Sequence, residues 1–196
     1  MKRFSAGYDK NRDALVDVLG RIVRAPGVVL EIGAGTGQHA VYFAAQLPSI
    51  TWVPSEKDAA LVESIGAWRA EAALPNLRAP RQIDVTHDEW DAPPLSVVLA
   101  IDLAHATPWA VTVGLITGAA RVLPAGGDLL LHGPFRRGAA PLPRALEELD
   151  AAVRRQAPYL GVRDLDEVTS VAASRGLRAA GVHELPGHNV MAVFRR

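Results

Sequence analysis

The segment Glu31-Ile32-Gly33-Ala34-Gly35-Thr36-Gly37 sets an acid and three glycines at the end of a short apolar run. Glycine lets the backbone turn tightly and lets a ligand approach main-chain atoms. A strand, a glycine loop and a helix N-terminus together make a nucleotide-site context. The spacing here is G-x-G-x-G. A dinucleotide fingerprint would carry its third glycine at position 38, which is Gln38, and the Gly-Lys-Ser/Thr of a P-loop is absent. Glu31 is a poor neighbour for a pyrophosphate and a good one for a cation. Two further acids, Glu56 and Asp84, follow the next two apolar runs. Asp102 and His105 lie just past the fourth. Histidine is the natural base at neutral pH, and a turn over residues 102–105 would let Asp102 orient His105.

These residues need a scaffold that brings strand ends together. Leu15, Val18, Leu19, Ile22 and Val23 recur with one apolar helical face. Short β-branched or continuous apolar runs at 28–32, 50–53, 81–85, 95–101 and 128–132 read as buried strands. Helical patterns fill the intervals at 39–47, along Leu61, Ile65, Trp68 and Ala72, and from Pro108 onward. Leu146, Leu149 and Val153 mark another helix. Leu165, Val168 and Ala172 mark one more, with Gly176 at its C-terminus. Residues 177–185 and 190–194 flank a turn at Pro186-Gly187-His188-Asn189, which reads as a hairpin. Strands alternating with helices predict an α/β fold, a doubly wound, mostly parallel seven-stranded sheet closed by a C-terminal antiparallel hairpin. One domain over 1–196 is expected, with residues 1–25 as an N-terminal helix and lid.

Composition narrows the partners. Twenty-one Lys and Arg balance 21 Asp and Glu, so a basic surface spread over the whole protein is excluded and no nucleic-acid partner is expected. The absence of cysteine removes disulfides, thiolate metal sites and a cysteine nucleophile. The histidines show no ligand spacing such as HExxH, so no metal is expected. The first 14 residues lack the apolar core of a secretory signal. Asp102, His105 and Pro108 interrupt the most apolar stretch, 95–120, short of a membrane span. The expectation is a cytoplasmic protein with no membrane partner. Its oligomeric state is not legible.

The glycine loop with its leading acid resembles the first motif of the class I S-adenosylmethionine-dependent methyltransferases, roughly E/D-x-G-x-G-x-G. Further stretches resemble a small methyltransferase-like subgroup of unknown function: Gly35-Thr36-Gly37-Gln38-His39-Ala40, Trp52-Val53-Pro54-Ser55, Ser64-Ile65-Gly66-Ala67-Trp68, His105-Ala106-Thr107-Pro108-Trp109, Gly133-Pro134-Phe135 and Gly161-Val162-Arg163-Asp164-Leu165. Asp9-Lys10-Asn11-Arg12 is similar to that subgroup's Glu-Arg-Asn-Lys segment. The chain departs from the pattern at Asp102, at Pro141-Leu142-Pro143 and at His188-Asn189, all in the half that should face substrate.

The resemblance implies a Rossmann-like methyltransferase fold with S-adenosylmethionine as cofactor and S-adenosylhomocysteine as product. It implies a cofactor site of Glu31, Gly33, Ala34, Gly35, Gly37, Glu56, Asp84, Val85 and Asp102. Glu56 would accept from the ribose hydroxyls, a task that suits a carboxylate, and Asp84 would stand near the adenine amino group. His105 and Asp102 are the catalytic candidates. Tyr8, Asn11, Trp109, Phe135, Arg163 and Asn189 are the acceptor-side candidates, with Trp109 and Phe135 placed to face a sulfonium. Transfer to O, N or S of a small molecule is the leading reading. A catalytically silent cofactor-binding protein acting through a protein partner, and a protein or RNA methyltransferase, stand as alternatives.

Overall fold

The computed structural model describes residues 1–5, 7–87 and 89–196. Its central sheet has the path β3-β2-β1-β4-β5-β8-β7, seven strands long. The parallel strands are β1 (Gly27–Ile32), β2 (Ile50–Glu56), β3 (Arg81–Gln82), β4 (Val97–Ile101) and β5 (Asp128–Arg136). β7 (Arg178–Leu185) and β8 (Asn189–Arg195) form the antiparallel hairpin, with β8 against β5. A two-residue strand, β6 (Arg163–Asp164), pairs with the end of β5 off this path. The strand order reverses between β1 and β4, where open α/β sheets bind their ligands.

Alternation along the strands divides the core in two. Val98 and Ala100 of β4 pack with Leu115, Ile116 and Ala119 of α5 (Trp109–Val122) and Val168 of α7 (Leu165–Ser174). Val97 and Leu99 pack on the other face with Leu15, Val18 and Leu19 of α1 (Arg12–Ile22) and Phe43 of α2 (Gln38–Gln46). Side chains two apart on a strand share a face, so a continuous apolar run serves two helical layers at once. α3 (Ala59–Ala72) flanks β2, and α6 (Arg144–Gln156) follows β5.

Three departures from the sequence reading have local causes. The third strand stops at Gln82 because the Asp84 carboxylate accepts from the N–H and hydroxyl of Thr86, a side-chain turn that competes with the ladder. β5 runs four residues past His132 because β8 and then β6 continue to pair with it through Pro134 and Arg136. A single helical turn, α4 (Leu103–Ala106), fills the expected bend after β4. No helix among the described residues is long and apolar enough to cross a membrane.

Candidate active site

Two cavities open along the C-terminal ends of β1, β2 and β4, and both are lined by Gly33. One, of 130 Å³, is walled by Ile32, Gly33, Glu56, Asp84, Val85 and Leu103. The other, of 310 Å³, is walled by Glu31, Ala34, Gly35, His39, Asp102 and Tyr8 with their neighbours. Together they make one cleft over the glycine loop, with Asp84 at one end and Asp102 at the other.

The loop glycines have distinct tasks. All three have positive φ, which glycine adopts without strain. A Cβ on Gly37 would stand 2.9 Å from the Ile65 backbone, and one on Gly33 would stand 2.9 Å from Leu103 Cδ1. These two allow close packing. Gly35 has nothing within 4 Å of that position, so it faces the open cleft, and it lines the larger cavity whereas Gly37 does not.

The acids are held by different means. Glu56 accepts from the Gly35 N–H at 3.0 Å and from the Lys57 N–H at 2.8 Å. Asp84 pairs with Lys57 Nζ at 2.7 Å, and this ion pair with the Thr86 bonds keeps its carboxyl well below the ordinary range. Glu31 is buried and accepts from Trp52 Nε1 at 2.6 Å. Burial pushes its pKa up to about 7, against the opposing effect of that hydrogen bond.

At the far end, Asp102 takes a left-handed backbone conformation, φ 55°, uncommon for a residue with a side chain. Its Oδ1 lies 3.3 Å from His132 Nδ1, and its Oδ2 accepts from Asn11 Nδ2 at 3.4 Å. Asn11 Oδ1 in turn lies 3.1 Å from His39 Nε2. Burial pushes the Asp102 carboxyl up, but the rings of His132, His105 and His39 outweigh it and hold the group below its ordinary range. Burial lowers the pKa of His39 and of His105, against the opposing pull of the Asp102 charge. The expected pairing of Asp102 with His105 is replaced by one with His132. Both His105 Nδ1 and Asp102 Oδ1 face Gly133, yet the His105 nitrogen has no hydrogen-bond partner.

The acceptor-side candidates divide. Tyr8 lines the larger cavity, its ring 5.2 Å from that of His39. Asn11 reaches Asp102. Phe135 packs beside Gly133 and also walls a third cavity of 220 Å³ with Pro141, Leu142 and His188. Arg163, Trp109 and Asn189 do not meet this cleft. The Arg163 guanidinium donates to the carbonyls of Ala104, Thr107 and Tyr159 and lies 5.9 Å from the Trp109 ring. Trp109 lines a separate depression along α5, and Asn189 donates to the Pro186 carbonyl within the hairpin turn. The Arg163 donors are taken up by backbone carbonyls, two of them on the segment after β4, and that of Asn189 by a carbonyl of its own turn.

Residues before α1 lie over the glycine loop. The Arg3 N–H donates to Ser64 Oγ, the Ser5 N–H to Gln38 Oε1, and Trp68 Nε1 to the Arg3 carbonyl. Phe4 packs edge-on to Trp68, which supplies the apolar anchor that the sequence of 5–12 lacks. His132 and His39 went unrecognised in the sequence. A lone histidine inside the apolar strand run Leu129-Leu130-Leu131-His132 is a signal that could have singled out the first; His39 offers none beyond its place in the first turn of α2. Among the described residues no group of three or more His, Asp or Glu side chains is arranged to hold a metal ion.

A sheet of this order, with a glycine loop and acids at its strand ends, is the class I S-adenosylmethionine-dependent methyltransferase fold. The chain belongs to the family DUF938, described as a protein of unknown function, whose model matches residues 2–196. Its fold is similar to that of an O-methyltransferase family 2 protein from Planctomyces limnophilus DSM 3776, solved in complex with apigenin. That match has a TM-score of 0.80 and 17% identity, over 95% of this chain and 57% of the other. It is also similar to the S-adenosylmethionine-dependent methyltransferase SibL in its apo form, with a TM-score of 0.80 and 20% identity, over 96% and 55%. CalO1, a methyltransferase in calicheamicin biosynthesis solved with S-adenosylhomocysteine bound, matches with a TM-score of 0.75 and 20% identity, over 93% and 53%. This chain spans a little over half the length of each.

Proposed function

We propose that this protein binds S-adenosylmethionine in the cleft between Asp84 and Asp102 and transfers its methyl group to O, N or S of a small-molecule acceptor. The observation that carries this reading is the cleft itself: two cavities lined in common by Gly33, with a glycine facing open space and a carboxylate beside it. The fit is chemical. Glu56 offers acceptors to a diol, and Asp84 with the apolar walls Ile32, Val85 and Leu103 suits a flat base bearing an amino group. Glu31 and Asp102 suit a cationic end.

When bound, the cofactor would supply an electrophilic methyl on a sulfonium, open to in-line attack by an acceptor lone pair with the neutral thioether as leaving group. Asp102 carries negative charge toward that end of the cleft. His105 lines neither cavity and its Nδ1 is buried, so it stands behind the cleft rather than against the acceptor. The N-terminal segment with Tyr8 covers the cleft and excludes water. The solved neighbours that carry apigenin or belong to calicheamicin biosynthesis support a small acceptor over a macromolecular one. Titration calorimetry with S-adenosylmethionine and S-adenosylhomocysteine tests the cofactor. A screen of small acceptors reading S-adenosylhomocysteine release tests transfer. Binding without release from any acceptor class would leave a cofactor-binding protein, and no binding would remove the reading.

A further inference from the structure

Buried polar atoms without partners gather behind one end of the cleft. His132, on β5, is buried, and neither ring nitrogen makes a hydrogen bond; His105 Nδ1 is in the same condition. Buried nitrogens of this kind are rare and call for a reason. The His132 ring points at Asp102, with Nδ1 at 3.3 Å, close but not aligned for a hydrogen bond. Asp102 is 43% exposed at its side chain and lines the larger cavity, so the ring stands behind the carboxylate and the cleft in front. On the cleft side, Asn11 bridges Asp102 to His39. No Lys or Arg is among the described residues lining that cavity, whereas Glu31 and Asp102 both do. Arg12 stands behind the Tyr8 ring, its guanidinium carbon 4.9 Å from the centroid.

We propose that His132 is a positioning residue that orients the Asp102 carboxylate toward the donor end of the cleft. The inference rests on the methyltransferase reading above. A strained left-handed backbone turns the Asp102 side chain between β4 and β5, and a buried ring fixes one oxygen so that the other faces the ligand. Only the Nδ1–H tautomer of His132 can donate toward Asp102. A small rotation of the ring would align that donor, and a positive charge in the cleft would favour it by polarising the carboxylate. His39, His105 and Glu31 surround the same carboxylate from α2, α4 and β1, and none of them supplies a fixed positive charge.

The test uses the charge difference between the two forms of the cofactor. S-adenosylmethionine carries a sulfonium, and S-adenosylhomocysteine carries a neutral thioether in its place. The ratio of their dissociation constants therefore reads the oriented carboxylate without any acceptor. The wild type is expected to favour S-adenosylmethionine. His132→Leu is expected to reduce that preference by about tenfold or less, with a smaller effect on S-adenosylhomocysteine affinity. His132→Asn, which returns an N–H near the position of Nδ1, is expected to restore most of it. A purely structural role for His132 would weaken both ligands together. If His132→Leu does not fold, His132→Phe, which keeps a ring in the same space and removes both nitrogens, carries the test. Failure of either ligand to bind the wild type would remove the parent reading and this inference with it. Binding with a ratio unchanged in the folded His132 variant that lacks the ring nitrogens would overturn this inference alone.

Discussion

The two ends of the cleft are built in opposite ways. At the Asp84 end, both carboxylates have their partners within the protein, Lys57 for Asp84 and the Gly35 N–H for Glu56. Asp84 binds Thr86 two residues on, and Glu56 accepts from the adjacent Lys57 N–H and from the glycine loop. At the Asp102 end the partners come from far along the chain: Asn11 is 91 residues away, and His132 arrives on the next strand. There the nitrogens of His105 and His132 stay unpaired. An end satisfied from within holds its shape alone. An end with unpaired polar atoms carries a cost of about 1–3 kcal/mol for each group left unmet.

The largest effect that should separate packing from binding comes from the loop glycines. Gly37→Ala drives a Cβ into the Ile65 backbone at positive φ, so a loss of about 3–5 kcal/mol is expected in denaturant unfolding. Gly35→Ala meets open space, and a loss of only about 1 kcal/mol is expected, with weakened cofactor binding. Equal destabilisation by the two would erase the distinction between a packed glycine and an open one.

Glu31 joins the two ends, and its burial gives a pH signature. The folded protein holds the Glu31 proton more tightly than the unfolded chain does. Its stabilisation is therefore full below the ordinary carboxylate range and is lost as pH rises through about 7. Glu31→Gln keeps an acceptor for Trp52 Nε1 and removes the ionisation. Between pH 5 and pH 9 the wild type should lose about 3 kcal/mol that the variant retains. Parallel stability profiles would show that Glu31 does not titrate in this window.

How far the sequence reached follows the same division. The placement of the glycine loop, Glu56 and Asp84 after successive strands was legible because simple alternation along the chain locates strand ends. The seven-stranded path and the closing hairpin were legible for the same reason. Asp102 was identified, but its partner was not, because registering β5 against β4 is what brings His132 to it. Arg163 and Asn189 were assigned outward roles by similarity of local motifs. In the structure Arg163 closes carbonyls of the distant segment after β4, and Asn189 closes one within its own turn.

Two smaller effects sharpen the contrast. Glu56→Ala removes a charged acceptor, and a loss of about 1.5–3 kcal/mol in S-adenosylhomocysteine affinity is expected in calorimetry. Unchanged affinity would take Glu56 out of the site. Arg163→Ala is expected to lower stability by about 1–2 kcal/mol through three lost carbonyl contacts and to leave that affinity alone. A drop in ligand affinity with stability intact would return Arg163 to the cleft.

The cofactor assignment stands or falls on one calorimetric comparison, S-adenosylhomocysteine against NADH titrated into the wild-type protein. Gln38 occupies the third dinucleotide position, and Glu31 would sit beside a pyrophosphate. Saturable one-to-one binding of S-adenosylhomocysteine in the micromolar range, with no measurable heat from NADH, is the expected result. Saturable NADH binding with none by S-adenosylhomocysteine would contradict it.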